Sequence, residues 1–552
     1  MKQKQGRVTG SGAFQWLRHF FTITAVGWAM VLHGQAFTES NLPIVLIQTG
    51  GQIIADDPKI TADMKIIYNG PGKINRLTDP PAHYNGKIGI ELRGSSSQDF
   101  PKKPYGFETR EDNGENRNVS LIGLPEENDW ILNASYNDKT LMRDALAYLI
   151  ADKLMPYAPR VRHVELIINN QYQGVYVLTE KIKRDKNRVD ISNMDVDDNT
   201  GDALTGGYIF KIDKETGSNS GAGWISPYKP FPGAWQSTLF QFEFPDADDI
   251  TNTQRNYVQQ HVTGFENVMA GANYADPVFG YRKLVDPGSV ADYIILNEWS
   301  KNPDAYRLST FFYKKRDSQG GKLFAGPVWD FNLGFGNVNY CTDGDPNGLV
   351  IQRFNQICPD DYWVIHFWWK KWMEDKRLED EIKARWQNLR GNVLAEDRLE
   401  EMVDSLATHL SLPQRRNFTK WPVLGQYVWP NYFVGATYEQ EVQFLKQWIR
   451  ERISYLDSIW GHTVQTDDPE SGEVTVYPNP SEGSFRIVSE NSGNTLTRVT
   501  LTDTKGKTYN VPFSKVSEKE YEILSPVLTP SCYVLRLETR YHTFLKRVVI
   551  YP

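Results

Sequence analysis

Residues 327–337 read PVWDFNLGFGN. An apolar Pro-Val-Trp run leads directly into an acid, an amide and two glycines. A strand that ends in a β-turn has this composition, and so does a turn that offers carboxylate and amide oxygens to a metal-bound phosphate. The neighbouring sequence frames that choice. Upstream, FFYKKRD and KLFAGPVWDF read as two strands joined by a DSQGG turn. Before them lie two helical stretches, one near TNTQRNYVQQHVTGFENVMA and one following Pro287 as VADYIILNEWSKN.

From Asn41 to about Asp213 the chain alternates short β-like runs with turns: LPIVLIQT, KIGIELRG, HVELIINNQYQGVYVLTEKI and GGYIFKID. Asn169-Asn170 between β-formers predicts a hairpin, because Asn tolerates positive φ. One helix, DKTLMRDALAYLIADKL, interrupts the strands, with Asp138 placed to cap its first turn. Residues 214–240 are rich in Gly, Ser, Pro and Trp and are expected to form a long surface loop. From Asp361 to Trp460 apolar residues recur every three or four positions with charges opposite, which predicts a helical region whose Trp and Phe residues pack its core. HTVQTDDPESG (462–472) has no periodicity, and short alternating strands beyond it predict a small β-sandwich.

At 552 residues the chain exceeds what one core usually supports. Its 40% hydrophobic and 23% charged residues are those of a globular protein. Lys2, Lys4, Arg7 and Arg18 accompany the apolar stretch FFTITAVGWAMVL and the small-residue exit HGQA. This is the pattern of a secretory signal peptide over 1–36, too short to favour a membrane span. Its removal takes away four positive charges and no acid, changing the formal charge from −7 to −11. An acidic mature chain argues against a nucleic-acid partner. Of three cysteines, Cys341 and Cys358 are close enough to pair in an oxidising compartment. No CxxC or HExxH spacing suggests zinc.

Three polar clusters carry candidate chemistry. In ELRGSSSQDFPKKPYGFET, Arg93 and the pair Lys102 and Lys103 flank a Gly-Ser turn whose amides suit phosphate oxygens. In LTEKIKRDKNRVDI, Glu180 ends a strand before a run of cations, as an acid does when it holds a phosphate-binding lysine. In NEWSKNPDAYRLSTFFYKK and PVWDFNLGFGN, Asp304 and Asp330 lie in loops that bracket a hairpin. Two such acids on one cleft divide the work: one takes a proton from a hydroxyl, the other holds Mg²⁺ together with the amide oxygen of Asn332. For each cluster the alternative is a solvated turn or strand end.

The ordered blocks RGSSSQDFPKKPY, LNASYNDKTLMRDALAY, NQYQGVYVLTEKIKRDKNRVDI, GGYIFKID, NEWSKNPDAYRLSTFFYKK and PVWDFNLGFG resemble the CotH family of kinase-like proteins over roughly residues 40–460. The resemblance implies an α+β fold: an atypical protein-kinase-like domain over 37–461, β-rich in its N-terminal part and helical in its C-terminal part. It also implies ATP and a divalent metal, Mg²⁺ or Mn²⁺, used to phosphorylate Ser or Thr of a protein substrate. Asp304 then matches the catalytic acid and Asp330 the metal-binding acid. Lys103, or Lys102, is the candidate for the phosphate contact, with Arg93 nearby and Glu180 as a supporting ion pair. Two positions depart from the family pattern. Asn332 stands where the family often has a second acid, and Ser309 where it commonly has Asn.

YPNPSEGSFRI, LTDTKGK and CYVLRLETRYHTFLKRVVIYP resemble the type A sorting domain of the type IX secretion system. This implies a linker at 462–473, a sorting domain at 474–552, and export to the cell surface or medium by way of the periplasm. A second reading keeps the fold without transfer, as a surface protein binding glycan or host protein through GWISPYKPFPGAW and KWPVLGQYVWPNYF. A third, with Asp304 and Asp330 as the acid pair of a glycoside hydrolase, has no other support in the sequence.

Overall fold

The computed structural model describes residues 37–461, apart from 217–221 and 342–343, and the strands and several turns of 474–550. The expected signal peptide and linker lie outside the described residues.

Seven strands close into a barrel in the order Ile44–Gln48, Ile60–Ile67, Tyr84–Leu92, Tyr105–Arg110, Asp129–Asn133, Gln171–Glu180 and Val161–Ile168. Period-two patterning explains the closure. In ITADMKII, Ala62, Met64 and Ile66 are buried while Thr61, Asp63 and Lys65 face water. All neighbours pair antiparallel except the first strand and Val161–Ile168, whose parallel pairing seals the barrel. The hairpin at Asn169-Asn170 forms, with φ of 49° and 61° at the two asparagines.

A five-stranded antiparallel sheet follows, in the order Gly223–Ile225, Leu239–Phe244, Tyr208–Ile212, Thr310–Lys314, Leu323–Ala325. Its first strand corrects the expectation of an uninterrupted loop over 214–240, because Gly223–Ile225 pairs with Leu239–Phe244. Gly223 explains how they approach. A Cβ there would lie 1.7 Å from the Phe240 carbonyl oxygen.

Helices Asn252–Ala270, Pro287–Ser300, Phe367–Glu374, Lys376–Arg390, Glu396–Leu410 and Tyr438–Trp460 pack around this sheet or on one another. Their aromatics form the core: Trp368 lies 4.9 Å from Phe265, and Trp369 4.7 Å from Tyr306, centroid to centroid. The helix Pro413–Lys420 docks on the barrel at Gly174 (φ 109°). There Asn417 accepts from the Val175 N–H at 3.1 Å, and Trp421 Nε1 donates to the Gln173 carbonyl at 2.8 Å.

The helix near Asp138 begins later than its sequence suggests, at Arg143. Leu141 adopts φ 60°, which breaks the helical path. Asp138 nevertheless serves the helix start, accepting from the Arg143 N–H at 2.9 Å.

Beyond residue 474 lie two four-stranded antiparallel sheets. They bury one common core, which includes Phe485 and Ile523 from one sheet and Leu501, Leu535 and Val548 from the other.

Candidate functional site

PVWDFNLGFGN is a loop. The preceding strand stops at Ala325, Gly326 takes φ 111° and Asp330 φ 62°. Asp tolerates this left-handed conformation better than most residues. The loop is anchored on the helix Arg143–Leu154. The Asp330 N–H donates to the Tyr148 hydroxyl at 3.1 Å, and the Phe331 N–H to Asp144 Oδ1 at 2.7 Å. Asn133 Nδ2 donates to the other Asp144 oxygen at 2.7 Å. The two glycines serve packing. A Cβ on Gly334 would come within 3.1 Å of the Phe331 carbonyl oxygen and 3.2 Å of that of Ser300, and one on Gly336 within 2.5 Å of the Trp448 ring.

Asp304 reaches the same place from the other side. Helix Pro287–Ser300 ends at Lys301, whose φ of 45° turns the chain into Asn302-Pro303. The helix end is pinned by a fully buried pair, Arg452 with Glu298 at 3.1 Å, while Glu298 also accepts from the Val350 and Ile351 N–H groups. Two hydrogen bonds then join the loops. Asn302 Nδ2 donates to the Asp330 carbonyl at 2.8 Å, and the Phe335 N–H to the Ser300 carbonyl at 2.6 Å.

The electrostatics show which side chains share this space. Burial, then Asp304 and Asp213, pushes the Asp330 carboxyl up to about 6, against Lys214 and Arg93. Burial, then Asp330, pushes Asp144 up to about 8. Arg93 lies over the Trp329 ring, 5.2 Å from its centroid. Burial lowers its pKa, opposed by Glu243, Asp330 and Asp213. Lys211 pairs with Glu243 at 2.8 Å, and although burial works against its charge, Glu243 and Asp213 hold its pKa above the ordinary value. Asp213 accepts from the Lys214 N–H at 2.8 Å and from the Ser309 N–H. Asp304 Oδ1 accepts from Arg307 Nη2 at 2.6 Å.

Arg93, Asp304 and Asp330 are therefore brought together, while Lys102, Lys103 and Glu180 are engaged elsewhere. Lys102 is buried over the Tyr176 ring and donates to the Val175 carbonyl and to Asn417 Oδ1, the latter at 3.0 Å, so it fastens barrel to helix. Burial lowers its pKa to about 7. Lys103 donates back to the Gln98 carbonyl within the Gly-Ser turn. Glu180 pairs with Arg160 at 2.8 Å and accepts from its backbone N–H at 3.0 Å. Asn332 lies 3.4 Å from Asn137, amide to amide. The sequence reading missed Asp213, Lys211 and Asp144. The signal for two of them was present in FKID, where Lys211 and Asp213 are two apart at the end of a β-like run.

Among the described residues, no group of three or more His, Cys, Asp or Glu side chains is gathered closely enough to cage a metal ion. Mg²⁺ bound to a nucleotide needs no such cage, since one or two carboxylates, water and phosphate oxygens complete its octahedron. The crowding of Asp304 and Asp213 on Asp330 leaves negative charge that a cation would relieve, so the donor set fits one.

The family model described as CotH kinase protein matches residues 90–456, more than half of the chain. The chain belongs to the CotH kinase family. Asp304 and Asp330 both fall inside the CotH match, as do all the side chains described above at this site. A second model, the secretion system C-terminal sorting domain, matches residues 475–551 and marks this CotH protein as secreted or cell-surface. No curated protein matches the chain. No helix among the described residues is long and apolar enough to cross a membrane.

Proposed function

We propose that this CotH protein is a secreted atypical kinase that moves the γ-phosphoryl group of ATP to a Ser or Thr hydroxyl of a protein substrate. The observation that carries the proposal is the convergence of Asp304 and Asp330, from loops on opposite sides of a hairpin, onto space shared with Arg93. Asp304 has one oxygen held by Arg307, and its other takes no hydrogen bond among the described residues, so it is placed to accept the acceptor's proton. Arg93 faces the acids with a charge suited to phosphate oxygens, taking the role that sequence reasoning gave to Lys103. Asp330, with the amide oxygen of Asn332, would hold Mg²⁺ or Mn²⁺, which when bound supplies charge neutralisation at the phosphates. Tyr148, Asp144 and Asn302 fix the backbone that carries Asp330. Catalysis by such a site is positioning and electrostatic stabilisation.

The proposal includes the domain layout: signal peptide 1–36, CotH domain 37–461, linker 462–473 and sorting domain 474–552, with export through the type IX machinery. Its test is incorporation of label from γ-labelled ATP with Mg²⁺ or Mn²⁺, beside Asp304→Ala and Asp330→Ala. Incorporation should fall by roughly 100-fold or more in each variant. Equal incorporation in wild type and both variants defeats the kinase assignment.

One observation favours a second reading, a surface protein that binds glycan or host protein. Trp235, Tyr427, Trp429 and Tyr432 are each at least half exposed, and exposed aromatic faces suit stacking. A glycan array without hits, together with unchanged host-protein binding after Trp235→Ala and Trp429→Ala, would remove it.

A further inference from the structure

The pairing that the sequence left open is made: Cys341 and Cys358 are bonded, with Cα atoms 5.8 Å apart. The position of the bond connects it to Asp304. Beside Cys341, Tyr340 stacks on Trp429 at 6.0 Å and 10°. Burial raises the Tyr340 pKa, and Asp304, Asp361 and Asp330 raise it further against Arg307, so this ring sits among the site's own charges. Three residues past Cys358, the Asp361 carboxylate accepts from Arg307 Nη1 at 3.2 Å, and the Trp363 carbonyl accepts from the same nitrogen at 2.9 Å. Arg307 Nη2 is the donor that holds Asp304.

Helix Val350–Ile357, which ends at Cys358, places Phe354 4.2 Å from the Arg307 guanidinium. Arg307 itself is only 3% exposed. Its plane is fixed by the Pro303 carbonyl on Nε, by Asp361 and Trp363 on Nη1, and by the Phe354 ring below. Asp361 and Trp363 stand on the irregular segment just after Cys358, so what holds that segment also holds Arg307. The cross-link ties it to Cys341, next to Tyr340, whose ring shares the surroundings of Asp304.

We propose that the Cys341–Cys358 bond is a positioning device for Asp304: it clamps residues 339–341 to 358–363 and, through Asp361 and Arg307, sets the carboxylate's orientation toward the acceptor hydroxyl. Arg307 and Asp361 are positioning residues in this scheme. It rests on the assignment of Asp304 as the proton acceptor and adds that the acceptor side of the site depends on an oxidised cysteine pair, whereas the nucleotide side at Arg93 and Asp330 does not. Reduction by a dithiol, which gives up two electrons and two protons and leaves two cysteine thiols, would release the clamp.

The test compares the oxidised full chain with dithiothreitol-treated protein and with a Cys341→Ser/Cys358→Ser variant, using hydrogen exchange by mass spectrometry, affinity for a non-hydrolysable ATP analogue, and transfer rate. Exchange should rise in peptides covering 303–309 and stay unchanged in the barrel peptides covering 84–110. Analogue affinity should stay within about twofold, and kcat should fall roughly tenfold or more, as displacement of a catalytic group does. Arg307→Ala should give the same kcat loss, with no further loss on adding the cysteine substitutions, because the two act through one chain of contacts. Arg307→Lys should recover part of it.

Unchanged exchange at 303–309, or a rise spread evenly over the chain, overturns the proposal, and so do additive losses. If the oxidised chain transfers no phosphate at all, the kinase assignment fails by itself, and the exchange data still decide whether the bond holds the Asp304 loop.

Discussion

The barrel and the loop cluster both bury charge, and they treat it differently. In the barrel each buried acid has a cation against it: Glu180 takes Arg160 at 2.8 Å, and Glu165 takes Arg416. Between the loops, acids face acids, and Asp330 is pushed up to about 6 by burial and then by Asp304 and Asp213. The scaffold acids are neutralised within the protein. The loop charges are left partly unneutralised, as the proposed cation and phosphate site requires.

The largest effect that would sharpen this contrast is structural. Arg160→Ala strands the fully buried Glu180 carboxylate. It should cost about 3 kcal/mol of stability in denaturant unfolding, the range for removing one partner of a buried pair. A loss near zero would mean that the barrel charges are not mutually compensated.

The loop acids should behave in the opposite sense. The Asp330 carboxyl is raised from 3.8 to about 6 in the folded chain. Between those values the folded state binds a proton that the unfolded state has lost, so stability is fully present below pH 3.8 and falls as pH rises through 6. Asp330→Asn should flatten that decline and make the metal-free protein more stable at pH 7, as read from thermal melts across pH 4–8. Asp144, raised to about 8, adds a slope of the same sign over a wider window, so part of the decline persists in the variant.

Lys102 gives a smaller effect. Its pKa falls from 10.5 to about 7 on burial. Between these values the unfolded chain carries the extra proton, so this residue's contribution to stability rises with pH through that window. Lys102→Met should remove the rise while leaving affinity for an ATP analogue unchanged. A large loss of affinity would return Lys102 to the phosphate site. The smallest effect is expected from Asn332→Asp, which adds an anionic oxygen beside Asp330 and should lower the Mn²⁺ concentration needed for half-maximal transfer.

Local pattern made much of the fold legible. The Asn169-Asn170 hairpin and the alternation of Ile60–Ile67 are properties of neighbouring residues. The start of the helix at Arg143 was not legible, because it depends on the positive φ of Leu141, which no propensity marks. The strand Gly223–Ile225 was hidden because its pairing is with residues fourteen to eighteen positions on. At the site, Asp304 and Asp330 stood out as acids in polar loops. Which cation faces them did not. Arg93, Lys102 and Lys103 lie within eleven residues of one another, and only barrel closure sends Lys102 to Asn417 and Arg93 to Trp329. Asp213 was missed because its role comes from packing between the sheet and Ser309, far away in sequence.

Asp330 is the residue proposed to hold a nucleotide-bound cation. Titration of Mn²⁺ by electron paramagnetic resonance, with a non-hydrolysable ATP analogue present, measures this in wild type and Asp330→Asn. One nucleotide-dependent Mn²⁺ is expected in the wild type, with affinity lost by roughly 100-fold or more in the variant. Equal Mn²⁺ binding by the two proteins would contradict it.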